Sequence, residues 1–82
     1  MLKLITILGL GPRIQGQSDK GPYDFRNVSF FFEDDHCAPY RSGHCTLPWV
    51  ASESLKSNSN YWVDLKFVKY NPVITAVYRE DV

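Results

Sequence analysis

Apolar and polar residues alternate along much of this chain with a period of two, the spacing of a β-strand with one buried face. The clearest case is residues 61–70, YWVDLKFVKY. The apolar face of this segment is formed by Tyr61, Val63, Leu65 and Phe67, and its other face is mixed. The pattern predicts a half-buried antiparallel strand with these four side chains in the core.

Several other segments have the same strand-like character. Residues 2–10 are rich in Leu and Ile, and Pro48 marks an edge or a break in a later segment. Asn71-Pro72 is a turn signal, and residues 52–57 are the one, weak, candidate for a helical turn. Strands are therefore predicted over residues 2–10, 23–33, 45–51, 61–70 and 73–79.

The segment 23–33, YDFRNVSFFFE, changes its parity part-way along. Its large apolar residues occupy odd positions at Tyr23 and Phe25, and even positions from Val28 onward. Two explanations fit this change. The strand has a bulge near Arg26-Asn27, or its two ends face different surroundings.

Length and composition limit the chain to a single domain, residues 1–82. A hydrophobic content of 44% argues against disorder, and about five short strands predict a small antiparallel barrel or sandwich. A core this small usually needs a metal, disulfides or a partner subunit. The net charge is zero, so a nucleic-acid partner would have to be recognised by local clusters of cations.

The first residues, MLKLITILGLG, are only superficially like a signal peptide, because the basic region is weak and no small-residue cleavage site follows. The apolar run is too short to span a membrane. Two cysteines are too few for a disulfide scaffold. We therefore expect a soluble, cytoplasmic protein without a membrane partner.

One sequence pattern suggests a metal site. His36-Cys37 and His44-Cys45 form the pattern HC-x6-HC, and two His and two Cys can bind zinc tetrahedrally. The spacing matches no common zinc module, and neighbouring side chains on a strand point to opposite faces. The alternative is a hairpin with its tip at APYRSG, in which Cys37 and Cys45 face each other.

Catalysis has little support in the sequence. Glu33, Asp34 and Asp35 are adjacent, so alternate side chains diverge instead of forming a carboxylate pair. The serines lie in no nucleophile motif, and GLGPRIQG is not followed by the helix that a phosphate-binding loop requires. We predict that the protein is not an enzyme and uses no cofactor, metal or small-molecule substrate.

Aromatic residues interleaved with cations remain as the candidate chemistry. Cations that follow phosphates and rings that stack on bases are how proteins hold single-stranded nucleic acid. The alternative is that the rings are core and the cations ordinary surface. For Tyr23 and Tyr40, which lie beside predicted turns, the pattern favours neither. The candidate residues are Arg13, Lys20, Tyr23, Phe25 and Arg26, then Tyr40 and Arg41, then Lys66, Lys69 and Tyr70.

The segment QGQSDKGPYDF resembles the DNA-binding wing of the single-stranded DNA-binding proteins of filamentous bacteriophages, the gene V type helix-destabilising proteins. That wing runs Gly-x-Ser-x-x-Gly, then Pro-Tyr, then an apolar residue two positions on. The downstream segment YWVDL is similar to the family strand that precedes the dimer loop. The positions that match the wing are Gly16, Ser18, Gly21, Pro22, Tyr23 and Phe25.

The resemblance implies a fold and a function. The fold would be a small five-stranded antiparallel OB-like barrel with protruding hairpins, forming a two-fold homodimer. The function would be cooperative, sequence-independent coating of viral single-stranded DNA during phage replication, in the cytoplasm of an infected bacterium. It also implies repression of phage mRNA, so that RNA would be a second ligand.

By the same resemblance, Tyr23 would stack on a base, and Phe25 would support the wing or stack. Arg13, Lys20 and Arg26 would contact phosphates, and Tyr70 would lie near the dimer dyad and the partner's DNA groove. Asp19 and Asp24 add negative charge to the wing, which predicts a shallow salt dependence and more reliance on stacking. The competing hypotheses are a small phage accessory protein that blocks a host factor and a zinc-stabilised domain.

Overall fold

A computed structural model describes residues 1–34 and 38–82, apart from the side chains of residues 34 and 38–40. Strands dominate this part of the chain, with a single short helix, α1. The elements are β1 (Leu2–Leu10), β2 (Ile14–Ser18), β3 (Gly21–Asp34), β4 (Ala38–Pro48), α1 (Trp49–Ser52), β5 (Asn60–Val68) and β6 (Asn71–Glu80).

The six strands form one antiparallel sheet, as the all-β prediction requires. The hydrogen-bonded order is β2-β3-β1-β5-β6, and β4 also pairs with β3. In the described residues the sheet has six strands instead of five and is not closed. The added strand is β2, a polar segment that pairs with β3 alone and whose composition gives no strand signal.

β3 is long because it pairs with different strands at its two ends. Its first residues pair with β2, from Gly21 to Phe25, and its later residues pair with β1, from Val28 to Phe32. The register of β3 against β4 is continuous through Arg26 and Asn27. The change of parity therefore reflects different surroundings at the two ends, and a bulge near Arg26-Asn27 is wrong.

The core lies on one face of the sheet, where β1, β3 and β5 contribute alternate residues. Tyr61, Val63 and Leu65 are buried as predicted, but Phe67 is 39% exposed. Phe67 lies close to the β5–β6 turn, beyond the covered part of the face. The buried apolar residues are Ile5, Ile7, Val28, Phe30, Phe32, Leu47, Leu55, Tyr61, Val63, Leu65 and Ile74.

Two local predictions are displaced along the chain. The helical turn lies at Trp49–Ser52, three residues before the predicted start, and directly follows Pro48, which ends β4. The last turn is Lys69-Tyr70, because Val68 already pairs with Asn71 across β5 and β6. Pro72 is therefore a strand residue near the start of β6, opposite Phe67.

Candidate nucleic-acid interface

The segment that resembles a DNA-binding wing is a two-stranded hairpin. β2 and β3 pair from Ile14 with Phe25 to Ser18 with Gly21, leaving Asp19 and Lys20 as the exposed turn. The Ser18 hydroxyl donates to the Gly21 carbonyl at 3.0 Å and accepts from the Lys20 amide at 3.3 Å. Gly21 has a φ of 116°, which non-glycine residues rarely adopt. We call Ile14 to Phe25 the hairpin.

Tyr23 lies directly opposite Gly16, and its ring rests on the glycine backbone. A Cβ at Gly16 would be 2.1 Å from the Tyr23 hydroxyl oxygen, so only glycine leaves room for the ring. Tyr23 is nevertheless 42% exposed, and its ring centroid lies 6.0 Å from that of Phe25. The backbone of Gly16 therefore supports the Tyr23 ring, while part of the ring stays exposed to solvent.

Two arginines enclose Trp49 at the base of the hairpin. The guanidinium carbons of Arg13 and Arg26 lie 4.8 Å and 4.9 Å from the centroid of the indole ring. Arg26 also donates to the carbonyl oxygens of Gly11 and Ser52, each at 3.1 Å. Arg26 therefore ties the hairpin base to α1, and cation–π attraction fixes the indole between the two cations.

Arg13 is in addition held by Asp24 in a two-point ion pair. Its Nε donates to Oδ1 at 2.9 Å and its Nη2 to Oδ2 at 2.6 Å. The hydrogen bond to Arg13 lowers the pKa of Asp24, and the same bond raises the pKa of Arg13. The pair is exposed, so its contribution to stability is small, but it fixes the direction of the guanidinium.

We expect the carboxyl pKa of Asp24 to lie below the usual value of about 3.9 and to rise toward it in Arg13→Gln. Because the folded pKa is the lower one, the ion pair stabilises the hairpin above about pH 4, and this is lost as the pH falls through the folded pKa. Carboxyl carbon NMR shifts measured against pH provide the test. Asp64 is the internal control, because its pKa is lowered mainly by the Met1 amino group; an Asp24 titration unchanged in the variant would contradict the pairing.

Three of the other predicted residues lie at or near the β5–β6 turn, namely Arg41, Lys69 and Tyr70. Arg41 donates to the Tyr70 carbonyl oxygen, and its guanidinium carbon lies 5.3 Å from the centroid of the Phe67 ring. Lys66 and Lys69 are exposed, and Tyr70 is 87% exposed. We call Arg41, Phe67, Lys69 and Tyr70 the tip cluster.

The backbone of the β5–β6 turn is conformationally strained. Lys69 and Tyr70 have φ values of 50° and 70°, in the left-handed region where Asn and Gly are the favoured residues of a two-residue hairpin turn. Such strain costs on the order of 1–3 kcal/mol per residue and is found mostly at functional sites. The Tyr70 side chain is almost fully exposed and packs on little, so stability does not explain why a tyrosine occupies this strained position.

Replacing the turn by Lys69→Asn and Tyr70→Gly should raise the free energy of unfolding by about 1–2 kcal/mol, because the new residues adopt these φ values readily. The Arg41 bond is kept, since its acceptor is a backbone carbonyl. Urea denaturation of both proteins measures the difference. A destabilised variant would mean that the Tyr70 side chain supports the fold after all.

The predicted site residues thus form two groups. Arg13, Lys20, Tyr23, Phe25 and Arg26 are brought together at the hairpin, and Arg41, Lys69 and Tyr70 at the tip cluster. Lys66 pairs with Val73 further along β5, on the strand face opposite to that of Phe67. The side chain of Tyr40 lies outside the described residues. Phe25 and Phe32, the β3 residues nearest each group, are about 24 Å apart along the strand.

Trp49 is a site residue that the sequence analysis missed. It follows a proline at the end of a predicted strand, a position with no functional signal of its own. Only the pairing of β3 with β4 brings it beside Arg26, and only the path from β1 to β2 brings Arg13 to its other side. An indole near two arginines in space therefore leaves no short motif in the chain.

The metal prediction concerns the β3–β4 connection. His36 and Cys37 lie outside the described residues; within the described parts, no three His, Cys, Asp or Glu side chains are grouped to hold a metal ion. Cys45 pairs with Val28 in the middle of β4, and burial raises the pKa of its thiol. The expected hairpin tip at residues 38–43 is wrong, because these residues belong to β4. The predicted approach of Cys37 to Cys45 involves a residue outside the described ones.

Within residues 1–34 and 38–82, no helix is long and apolar enough to cross a membrane. Comparison of this chain with family models, curated proteins and solved structures found no match. The described fold and site are those of a small antiparallel β-sheet protein with an exposed ring on a hairpin and two clusters of cations.

Proposed function

We propose that this protein binds single-stranded DNA without sequence preference and has no catalytic activity. The observation that carries the proposal is Tyr23, a half-exposed ring fixed over Gly16 on a hairpin whose exposed turn bears Lys20. A stacked base gains about 1–3 kcal/mol on such a ring, and every base has a face to stack. The ligand that fits is therefore an unpaired strand.

The cations at the hairpin suit this ligand to different degrees. Lys20 is exposed at the turn, where it can follow a phosphate. Arg13 shares two of its donors with Asp24, which largely neutralises its charge toward an approaching phosphate. Arg26 donates hydrogen bonds to the backbone carbonyls of Gly11 and Ser52. These bonds support a role for Arg26 in positioning Trp49 and not in contacting phosphate. Few free cations favour a shallow dependence of affinity on salt.

The tip cluster would extend the same binding path. Tyr70 offers a second exposed ring and Lys69 a second exposed cation, about 24 Å from the hairpin base along the direction of β3. Single-strand sites on OB folds cover about 4–16 nucleotides, which is long enough to reach both groups. Strain retained at Lys69-Tyr70 is also consistent with a binding role.

We further propose that the sheet is a variant of the five-stranded OB-like barrel, with β2 as part of the added hairpin. The support is the close approach of β4 to β6, strands that are far apart in the sheet order. A Cβ at Gly43, in β4, would be 2.5 Å from Cγ of Pro72 and 3.4 Å from its Cδ, in β6. These contacts bring the two ends of the sheet together without continuous strand pairing.

We also propose that the protein forms a homodimer through the β5–β6 turn and coats viral strands, with RNA as a secondary ligand, in an infected bacterial cytoplasm. Val68 is 47% exposed and Tyr70 87% exposed, so the turn has apolar surface for a partner. The resemblance of the hairpin to filamentous-phage single-strand binding proteins supplies the biological setting.

An oligo-dT titration at low salt tests the proposed function. We expect quenching of Trp and Tyr fluorescence at micromolar protein, weaker binding to a duplex of the same length, and a shallow slope of log affinity against log salt. Oligo-rU in the same titration measures the preference for DNA over RNA. Absence of binding at micromolar concentrations would reject the proposal.

A further inference from the structure

The sheet face opposite the core carries a row of side chains that crosses four strands. Leu4 pairs directly with Trp62, and Trp62 pairs directly with Arg79, so these three side chains share a face of β1, β5 and β6. On the side of Leu4 away from Trp62, β3 contributes Glu33, which lines a shallow groove together with Leu4. We call Glu33, Leu4, Trp62 and Arg79 the outer row. Its order is acid, apolar, apolar, cation.

The surroundings of the outer row are apolar and exposed. Leu4 is 36% exposed, Leu2 is 60% exposed and Tyr78 is 61% exposed. Leu2 and Tyr78 line a groove together with Trp62 and Arg79. The Trp62 indole donates to Asp81 at 3.4 Å at the edge of this groove. A contiguous exposed apolar patch with a polar rim is typical of a protein–protein contact.

The amount of exposed surface also suggests that one copy is incomplete. The chain has 5687 Å² of accessible surface, against about 5,000 Å² for a compact monomer of 9.4 kDa. The excess is similar to the roughly 800 Å² that each partner buries in a stable interface. The molecule is also only 18 Å thick along its shortest axis, as expected for a sheet whose second face is uncovered.

The outer row is complementary to itself, and from this we propose that a second copy of the chain packs on it. A two-fold axis that lies in the interface, parallel to the strands and above the midpoint between Leu4 and Trp62, would lay one row antiparallel on the other. Glu33 of each copy would then face Arg79 of its partner, and the four apolar side chains would meet in the middle. Glu33 and Arg79 are about 14 Å apart, three strand spacings, which leaves room for both rings and leucines.

The charges at the two ends are available for this contact. Both Glu33 and Arg79 are exposed, and in the described part of the chain neither side chain has an ion-pair partner. A contact in which the same patch meets itself forms every ion pair twice. The complementarity of the outer row with itself therefore favours a second copy as the partner.

The outer row is separate from the β5–β6 turn, since Trp62 lies seven positions before Lys69 on the same strand and turn. Two different self-contacts on one chain link copies into an array, because each copy can hold a neighbour on either side. Such an array suits cooperative coating of a strand; this consequence rests on the proposed function, whereas the contact itself does not.

Charge reversal tests the contact. Glu33→Arg and Arg79→Glu each place like charges opposite one another twice, whereas the double variant restores both pairs in reverse. Sedimentation velocity at matched protein concentration should show a larger average mass for wild type than for either single variant. Each single variant should need about tenfold more protein for the same average mass, and the double variant should return to within about threefold of wild type.

The controls separate this contact from folding and from DNA binding. Circular dichroism at a protein concentration too low for the outer-row contact to form should give the same melting curve for all four proteins, since both positions are exposed. An oligo-dT too short for two copies should bind all four equally; loss of this binding in wild type would reject the proposed function and leave the mass measurement decisive. A monomeric wild type at millimolar concentration, or a double variant as weak as the singles, would overturn the outer-row contact.

Discussion

Replacing Tyr23 by alanine should weaken oligo-dT binding by about 1–3 kcal/mol and change the free energy of unfolding by less than about 1 kcal/mol. The binding loss is large because the ring is part of the exposed surface of the hairpin and offers a base a flat partner. The stability loss is small because the ring covers only the Gly16 backbone and the edge of Phe25, and is itself 42% exposed. Fluorescence titration and urea denaturation measure the two quantities.

Two matched variants make this result specific. Tyr23→Phe keeps the stacking ring, so it should bind within about threefold of wild type. Tyr78→Ala removes another exposed tyrosine, on the far side of the sheet from the core, and should leave binding to a short oligo-dT unchanged. Equal losses of binding and of stability in Tyr23→Ala would instead make Tyr23 a structural residue.

Phe30→Ala should lower the free energy of unfolding by about 3–5 kcal/mol, because Phe30 is the largest fully buried side chain in the described part of the chain. Its ring centroid lies 6.2 Å from that of Phe32, and a Cβ at Gly43 would be only 3.1 Å from its Cζ. Alanine would leave a cavity in the buried cluster where the ring now packs. Urea denaturation with a constant m-value gives the difference.

Phe67→Ala is the matched control, because the alternation of the sequence predicts both phenylalanines to be core. Phe67 is 39% exposed and contacts Arg41 and Phe32, so its loss should cost only about 1 kcal/mol. If the two variants were equally destabilised, the apolar face of β5 would have to be buried up to its end, which would contradict the exposure of the tip cluster.

The comparison of these phenylalanines shows how far alternation predicts a sheet. Alternation gives the faces of β5 correctly from Tyr61 to Leu65, because these positions lie over the centre of the sheet. It fails at Phe67, because burial depends on the neighbours of a residue, and near the turn the Phe67 ring is only partly covered, by Arg41 and Phe32. The leucines of β1 show the same limit: Leu2 and Leu4 share a parity, but the buried face of that strand is formed by Ile5 and Ile7.

The turns and the short strand β2 are harder to predict than the faces of the long strands, because pairing with a neighbouring strand decides them. β2 is polar because both of its faces are largely exposed, so its strand structure comes from pairing with β3 and not from its own composition. Asn71-Pro72 has the composition of a turn, but the register of β5 and β6 puts the turn at Lys69-Tyr70. There the pairing of the strands overrides the residue preference of the turn, and the chain accepts two unfavourable φ values.

The candidate site can be predicted from the sequence only where its residues lie close together along the chain. The hairpin carries Lys20, Tyr23 and Phe25 within six residues, so its composition could be read from the sequence. The cluster of Arg13, Arg26 and Trp49 joins three separate segments, and the role of Arg26 as a donor to backbone carbonyls depends on where Gly11 and Ser52 lie. Contacts of this kind follow from the topology, and no spacing along the chain encodes them.

The chain has two tryptophans, and they occupy different surfaces. Trp49 lies between two guanidinium groups at the base of the hairpin, and Trp62 lies in the outer row beside Tyr78. Each indole is therefore a built-in optical label for one surface: emission in Trp62→Phe would report on events at the hairpin, and emission in Trp49→Phe on association through the sheet. Strand binding and self-association could then be followed separately in one molecule without attaching a dye.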